Sequence, residues 1–192
     1  MSKVKIEGNA SGTGTLTISA PNTNTDRTLT LPDGAGEILT DSSSLSSSDT
    51  VSFQAYNTTN QTGIVDTTPT KVAFQAEEWD SHNCFNTSTY EFTPPIAGYY
   101  LITAGIQAGH TDTNAFCLPT LYKNGSWYKE GVGATGHSSL WASTNSSFLV
   151  YANGTTDYFS IYSYGRSGSG TYTLVSQGAG RGYFSAVLVK KD

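Results

Sequence analysis

Residues 88–109 constrain the fold most, because they hold two strand-like segments separated by a pair of prolines. A short alternating run at 90–92 ends at Pro94–Pro95, and an apolar run covers 99–106. Proline cannot donate to a β-ladder and biases the residue before it towards extended geometry, so the pair closes one strand before the next begins. The segment therefore predicts a strand, a tight corner with a turn at Gly98, and a second strand.

The rest of the chain from residue 51 repeats this pattern, whereas helical periodicity of useful length is absent. Alternating apolar and polar residues predict further strands at 51–56, 71–76, 116–122, 126–128, 146–151, 158–164, 172–175 and 183–189. Asn124 and Gly125 lie between two of these and indicate a type I′ hairpin, because both residues tolerate positive φ. We expect 57–70 and 77–83 to be loops. About ten short strands at this spacing predict an all-β sandwich or jelly roll.

Composition and charge exclude several classes of protein. The 192 residues carry only 13 % charged side chains, which is typical of all-β proteins with many turns. The net charge of −5 and the lack of a basic stripe argue against nucleic-acid binding. The chain offers no apolar segment long enough for a signal peptide or a membrane span, so we expect a soluble protein made in a cytoplasm, with no membrane insertion.

Residues with catalytic or metal-binding chemistry form no recognisable motif. Glu77, Glu78, Asp80 and His82 form the densest acidic and histidine cluster, but a solvated loop is favoured over a cation site there, and we predict no metal and no cofactor. The sequence contains no nucleophile elbow, and the glycine-rich stretch 178–182 precedes a strand rather than a helix. We therefore expect that the protein is not an enzyme.

Cys84 and Cys117 are the two cysteines of the chain. A single pair of cysteines in a protein made in a cytoplasm is more often two buried thiols than a disulfide or a metal site. Free thiols are the favoured interpretation, and a bridge remains the alternative.

The first 41 residues form a region of their own, the arm, followed by a serine-rich linker at 42–50 and a head at 51–192. Apolar residues alternate with threonine in two short predicted strands of the arm, and two further apolar residues follow a Pro-Asp-Gly turn. These anchoring candidates are Leu16, Ile18, Leu29, Leu31, Ile38 and Leu39. So few apolar side chains cannot form a core, so the arm must pack on another surface.

The arm carries a resemblance to a known kind of repeat. Residues 12–39, with Gly-Thr-Leu-Thr-Ile at 14–18 and Thr-Leu-Thr-Leu-Pro-Asp-Gly at 28–34, resemble the short β-repeat of tail-fibre and head-fibre proteins of tailed bacteriophages. That resemblance implies a structural protein of a virion. A generic flexible arm is the alternative.

The head resembles the globular head of the complement C1q family, which shares its trimeric jelly roll with tumour necrosis factor. The matching segments, in the family's order, are 53–55, 72–74, 88–102, 121–125 and 184–189. The resemblance implies a ten-stranded jelly-roll β-sandwich that assembles as a homotrimer. The collagen stalk of the animal family is absent, because no Gly-X-Y repeat occurs, and the arm stands in its place.

Aromatic residues support a trimer independently of that resemblance. The chain has twelve tyrosines and eight phenylalanines, more than one modest sandwich core needs. The strand at 158–164 carries aromatic residues on both faces, and the second face requires a neighbour. The trimer-interface candidates are Tyr158, Tyr162, Tyr164 and Tyr100.

These observations predict a homotrimeric structural protein on the surface of a tailed-phage virion. As a capsid decoration or cement protein, it would add strands of its arm to the major capsid protein or another virion protein. As a tail or head fibre, it would instead present loops at 110–114 and 133–139 to a host cell-surface glycan. The ligand-binding candidates for that alternative are Trp127, Trp141, His110 and His137.

Overall fold

The computed structural model contains β-strands and no helix among the residues that it describes. Those residues are 11–13, 24, 26, 50–109, 115–136, 141–176 and 180–192. The chain divides into two compact units, Met1–Ser42 and Ser43–Asp192. All six anchoring candidates lie outside the described residues, as does the linker except Thr50, so the arm and its boundary stay predictions.

Fourteen strands occur in the described part of the head. They are β1 (Ser52–Tyr56), β2 (Gln61–Val65), β3 (Thr70–Lys71), β4 (Ala76–Asp80), β5 (Phe85–Asn86), β6 (Glu91–Phe92), β7 (Ala97–Gly109), β8 (Phe116–Lys123), β9 (Ser126–Glu130), β10 (Ala134–Thr135), β11 (Trp141–Asn153), β12 (Phe159–Arg166), β13 (Thr171–Leu174) and β14 (Tyr183–Lys191).

The strands form two antiparallel sheets, which we name by position. In the front sheet, the long strand β7 pairs with β11 along one edge and with β14 and then β13 along the other. The sheet continues from β14 to β1 and β4, and from β13 to β2. In the back sheet, β8 pairs with β12 on one edge and with β9 and β10 on the other, while β3, β6 and β5 complete the sheet beyond β12.

An aromatic cluster fills the space between the sheets. The ring of Phe53 lies 4.9 Å from that of Phe85, 4.7 Å from that of Phe92 and 5.0 Å from that of Phe184, measured between centroids. All four side chains are buried. Offset and edge-to-face aromatic pairs at these distances are favourable beyond the area they bury. Strand β7 adds its even-numbered side chains to the same core.

Several predictions about local structure are confirmed, and others are wrong. Asn124 and Gly125 join β8 to β9 with φ values of 52° and 76°, as the hairpin requires. Residues 61–65 and 77–80 were expected to be loops but lie in β2 and β4. Gly98 makes no turn: it lies inside β7 at a φ of 155°, where a Cβ would come 2.3 Å from the Lys190 carbonyl oxygen. Edge strands pair through their backbones, so they need no alternating side-chain pattern.

The described strands number fourteen rather than ten, because β2 and β4 were expected to be loops and β5 and β10 are only two residues long. Strands this short carry no sequence periodicity. β10 pairs with β8 and β3 with β12, which are distant in the chain, whereas β5 pairs with the nearby β6.

Both cysteines are free and buried, as predicted. The Cys84 thiol donates a hydrogen bond to Asp80 Oδ1 at 3.1 Å. Burial raises the pKa of the Cys117 thiol to about 12 and also raises the pKa of Cys84. The two thiols therefore stay protonated at neutral pH and behave as core residues.

Three aspartates hold turns of the head together. Asp66 accepts backbone N–H groups of Ser167, Gly168 and Gly170, and so ties the 167–170 tip to the end of β2. In the same way, Asp80 accepts from Phe85 and His82, and Asp157 accepts from Asn124 and from the backbone of Asn153. Burial would raise the pKa of each carboxyl, but these donors, together with the Lys123 ammonium 2.8 Å from Asp157 Oδ2, outweigh it, and the pKa of each is lowered.

We expect the head to lose stability in acid through these three carboxylates. A folded pKa below the unfolded value of about 4 gives stability that is present above pH 4 and lost as the pH falls through the folded pKa. Asp66→Asn should lower the urea midpoint at pH 7, and the difference from the wild type should shrink towards pH 3. Urea unfolding at several pH values measures this. A difference that is the same at every pH would show that the Asp66 charge contributes nothing.

Candidate functional surfaces

The first candidate surface is an exposed apolar patch on the outer face of the front sheet. It consists of five large side chains on three adjacent strands, which we call the apolar patch: Tyr99, Leu101, Leu149, Tyr151 and Val187. In register, Tyr151 faces Tyr99, and Leu149 faces Leu101, which in turn faces Val187. The exposed fractions range from 37 % to 56 %. The five therefore form one continuous surface rather than scattered contacts.

The apolar patch is bounded by polar residues along the same strands. In the next row, the hydroxyl oxygens of Thr103 and Ser185 lie 2.6 Å apart. At the other boundary, the Tyr151 hydroxyl donates to Asp192 Oδ2 at 2.9 Å. A contiguous apolar area with a polar rim is typical of a protein-interaction site.

The prediction that Tyr100 lies at the trimer interface is wrong. Its side chain is fully buried inside one protomer, and its hydroxyl donates to the Ile96 carbonyl oxygen at 2.8 Å. Tyr100 belongs to the even-numbered, core-facing side of β7, so it contributes to the sandwich. Its neighbours Tyr99 and Leu101, on the odd-numbered side, are the exposed ones.

The other tyrosine candidates lie in or beside β12. Tyr162 stacks on Tyr122 with centroids 3.8 Å apart, and Tyr164 meets Phe116 and Trp127 at 5.9 and 5.8 Å. These contacts within one protomer leave Tyr162 and Tyr164 half-buried on the outer face of the back sheet. Tyr158, just before β12, is also half-buried. Their role in a trimer stays a prediction.

The ligand-binding candidates do not form one site. Trp127 and Trp141 are exposed, at 43 % and 51 %, but they lie on opposite sheets. Trp127 packs on Tyr122 and Tyr164 of the back sheet, whereas Trp141 begins β11 in the front sheet. His110 and His137 fall outside the described residues. A shared aromatic platform made of both tryptophans is therefore ruled out by geometry.

Trp141 borders a cleft at the end of the front sheet away from the apolar patch. The cleft has a volume of about 820 Å³. Its lining includes Gln107, Trp141, Asn145, Arg181 and Tyr183. The Tyr183 ring lies over Gly105, where a Cβ would come 2.5 Å from the ring. The missing side chain on β7 thus makes room for the Tyr183 ring.

A hydrogen-bonded chain fixes the polar groups of this cleft. Arg181 Nη1 donates to Gln107 Oε1 at 2.7 Å, and Gln107 Nε2 donates to Ser143 Oγ at 2.5 Å. The Arg181 guanidinium also stacks over the Trp141 ring, 4.8 Å from its centroid. Among the described lining residues Arg181 is the single charged one, and the ion pairs of the described region involve other residues. The sequence carried no signal for this cluster, because Arg181 lies 40 positions from Trp141.

The acidic cluster around Asp80 does not form a metal site in the structure. Asp80 Oδ1 and Oδ2 accept hydrogen bonds from His82 and Phe85, and Glu78 accepts one from Gln54. Within the described ranges, no three histidine, cysteine or acidic side chains surround a common point. The same part of the chain contains no helix long and apolar enough to cross a membrane.

Comparisons with known proteins identify the fold of the head. Eiger TNF from S. frugiperda aligns with a TM-score of 0.53 at 9 % identity, covering 74 % of this chain and 93 % of that one. Murine APRIL at pH 5.0 aligns with a TM-score of 0.51 at 10 % identity, covering 73 % and 99 %. The globular domain of zebrafish complement 1qA aligns at 13 % identity with a TM-score of 0.46, covering 74 % and 98 %.

No family model matches the sequence, and no curated protein matches it. At such low identities the structural likeness shows the fold alone. The head is therefore a tumour necrosis factor-like jelly-roll sandwich, the fold that the resemblance of residues 51–190 implied.

Proposed function

We propose that the protein is a non-enzymatic structural component of a tailed-phage virion, in which a homotrimeric head is anchored by the arm. The apolar patch carries the trimer part of this proposal. Its five side chains lie on a sheet, so a second flat surface can cover them together. Each is about half exposed, so covering one contributes on the order of 1 kcal/mol, which makes the exposed state unfavourable.

The virion part of the proposal is supported by the resemblance of residues 12–39 to phage β-repeats. Two short strands with few apolar residues are marginal in isolation but can extend an existing sheet. We infer that the arm adds strands to the major capsid protein or another virion protein, and that the head decorates and stabilises the shell at its surface. A single short arm suits an anchor better than a long shaft.

Two measurements test this proposal directly. Size-exclusion chromatography with light scattering should give the mass of three chains, and a stable monomer at micromolar concentration would contradict the trimer. Copies per virion then distinguish the two particle roles. Hundreds of copies are expected of a decoration protein, whereas a handful would indicate a tail or head fibre.

Deletion of residues 1–41 should leave a folded trimer that no longer joins the particle. The expectation follows because the apolar patch and the whole described core lie within 51–192. Circular dichroism and light scattering of the shortened chain check folding and mass, and co-sedimentation with virions that lack the protein checks attachment. The full chain is the control. A shortened chain that fails to fold would place the domain boundary elsewhere, and one that still attaches would remove the anchoring role from the arm.

A receptor-binding fibre is the second candidate function. One observation favours it: Trp141 is half exposed and lies beside a cleft lined with polar side chains. Clefts of this kind commonly bind small ligands. In this role the head would contact a host cell-surface glycan.

A further inference from the structure

The cleft beside Trp141 has the size and lining of a small-molecule site. Its volume of about 820 Å³ lies within the usual range for ligand pockets. The polar side chain at its floor, Gln107, is 6 % exposed, and both ends of its amide are hydrogen-bonded. A buried amide that is bonded in both directions fixes its neighbours in place before any ligand arrives.

Arg181 gives the cleft a preference for an anion. The guanidinium is held by Gln107 and by the Trp141 ring, and one of its five N–H groups is used in the hydrogen bond to Gln107. No described carboxylate pairs with it. A planar guanidinium with free donors matches a carboxylate bidentately, and a fixed one loses little entropy on binding.

The other lining groups suit a sugar ring. Trp141 and Tyr183 supply aromatic surface for the C–H face of a pyranose, while Asn145, Ser143 and the Tyr183 hydroxyl can exchange hydrogen bonds with sugar hydroxyls. An apolar wall with a few placed polar groups is the usual composition of such sites. The protein as a whole is acidic, so attraction of an anion must come from Arg181 locally.

We propose that this cleft binds a carboxylate-bearing sugar, with Arg181 holding the carboxylate and Trp141 packing on the pyranose ring. Uronic and sialic acids share this chemistry. The inference gives a ligand class to the receptor-binding role and does not depend on the virion. The cleft lies on the same face of β7, β11 and β14 as the apolar patch, so the inference requires that a subunit covering the patch leaves the cleft open. The virion and trimer proposals are tested by copy number and mass, whereas the proposed ligand is tested by sugar binding. Either proposal can therefore fail while the other stands.

The test is a saturation-transfer NMR titration of the full-length protein with matched sugars. Trigalacturonic acid is compared with its methyl ester, and 3′-sialyllactose with its methyl ester, so that each pair differs in charge. We expect at least one acid to bind roughly tenfold or more tightly than its neutral partner, as a charge-assisted pair implies. Arg181→Gln should reduce acid binding to the level of the neutral sugar. Arg166→Gln, the same change on the exposed end of the back sheet, should leave binding unchanged.

Each result decides the proposal. Binding of the uronate, the sialoside or both supports it and identifies the acid. The proposal is overturned by equal binding of acid and neutral sugar, by an acid preference that survives in Arg181→Gln, or by no saturable binding in the millimolar range. Light scattering of Arg181→Gln completes the test. If the wild type binds no sugar and this variant changes the mass of the assembly, the cleft is a contact between subunits.

Discussion

Leu101→Asp combined with Leu149→Asp should convert the proposed trimer into folded monomers. The two side chains face each other in register at the centre of the apolar patch and are 38 % and 56 % exposed in one protomer. Each is already about half buried, so covering it stabilises an interface by on the order of 1 kcal/mol, and burying an unpaired carboxylate instead costs more than that gain. Because the patch recurs in every copy, the loss applies at each subunit contact of a ring.

Light scattering at micromolar concentration measures this dissociation, and circular dichroism confirms that the sheets persist. The matched control is Val65→Asp on β2, a residue that is 53 % exposed but lies outside the apolar patch. That variant should keep the mass of the wild type. If the double variant remains trimeric, the front sheet is not the interface, and the face with Tyr162 and Tyr164 becomes the candidate to test.

Phe53→Ala should cost about 3–5 kcal/mol of stability, which is the usual range for removing a buried phenylalanine. Its ring contacts those of Phe85, Phe92 and Phe184, so the cavity would lie at the centre of the aromatic cluster. Rings on several strands surround this position, so they cannot collapse into the space without moving the sheets. The cost is therefore expected at the upper part of the range.

Chemical denaturation measures this loss, at one fixed protomer concentration because the stability of an oligomer depends on concentration. Phe116→Ala is the control, since Phe116 is a half-buried phenylalanine on the outer face of the back sheet. Phe116→Ala should lose much less stability than Phe53→Ala. Equal losses at the two positions would show that the cluster around Phe53 is not the centre of the folding core.

Much of the fold was predictable from local patterns. The Asn124–Gly125 hairpin needs only two adjacent residues that accept positive φ, so it was visible in the sequence. The short strands β5 and β10 were not predictable, because two residues carry no period. β2 and β4 were also missed, since strands at or near an edge can be polar on both faces.

The candidate sites were less predictable than the fold. Tyr99 to Ile106 is apolar at nearly every position, so the sequence shows that both faces of β7 are apolar but not which face the second sheet covers. That choice depends on the register of β7 with β11 and β14. As a result, Tyr100 lies in the core, whereas Tyr99 and Leu101 are exposed.

The sequence by itself determined the β-class of the head, most of its strands and its jelly-roll likeness, because period-two alternation and turn residues act over a few neighbouring positions. Only the tertiary structure decided which faces remain exposed and which distant residues meet. Arg181, Gln107 and Trp141 form one cleft because β7 pairs with β11 and lies beside β14. Such pairings are set by packing across the whole sandwich, which no local pattern records.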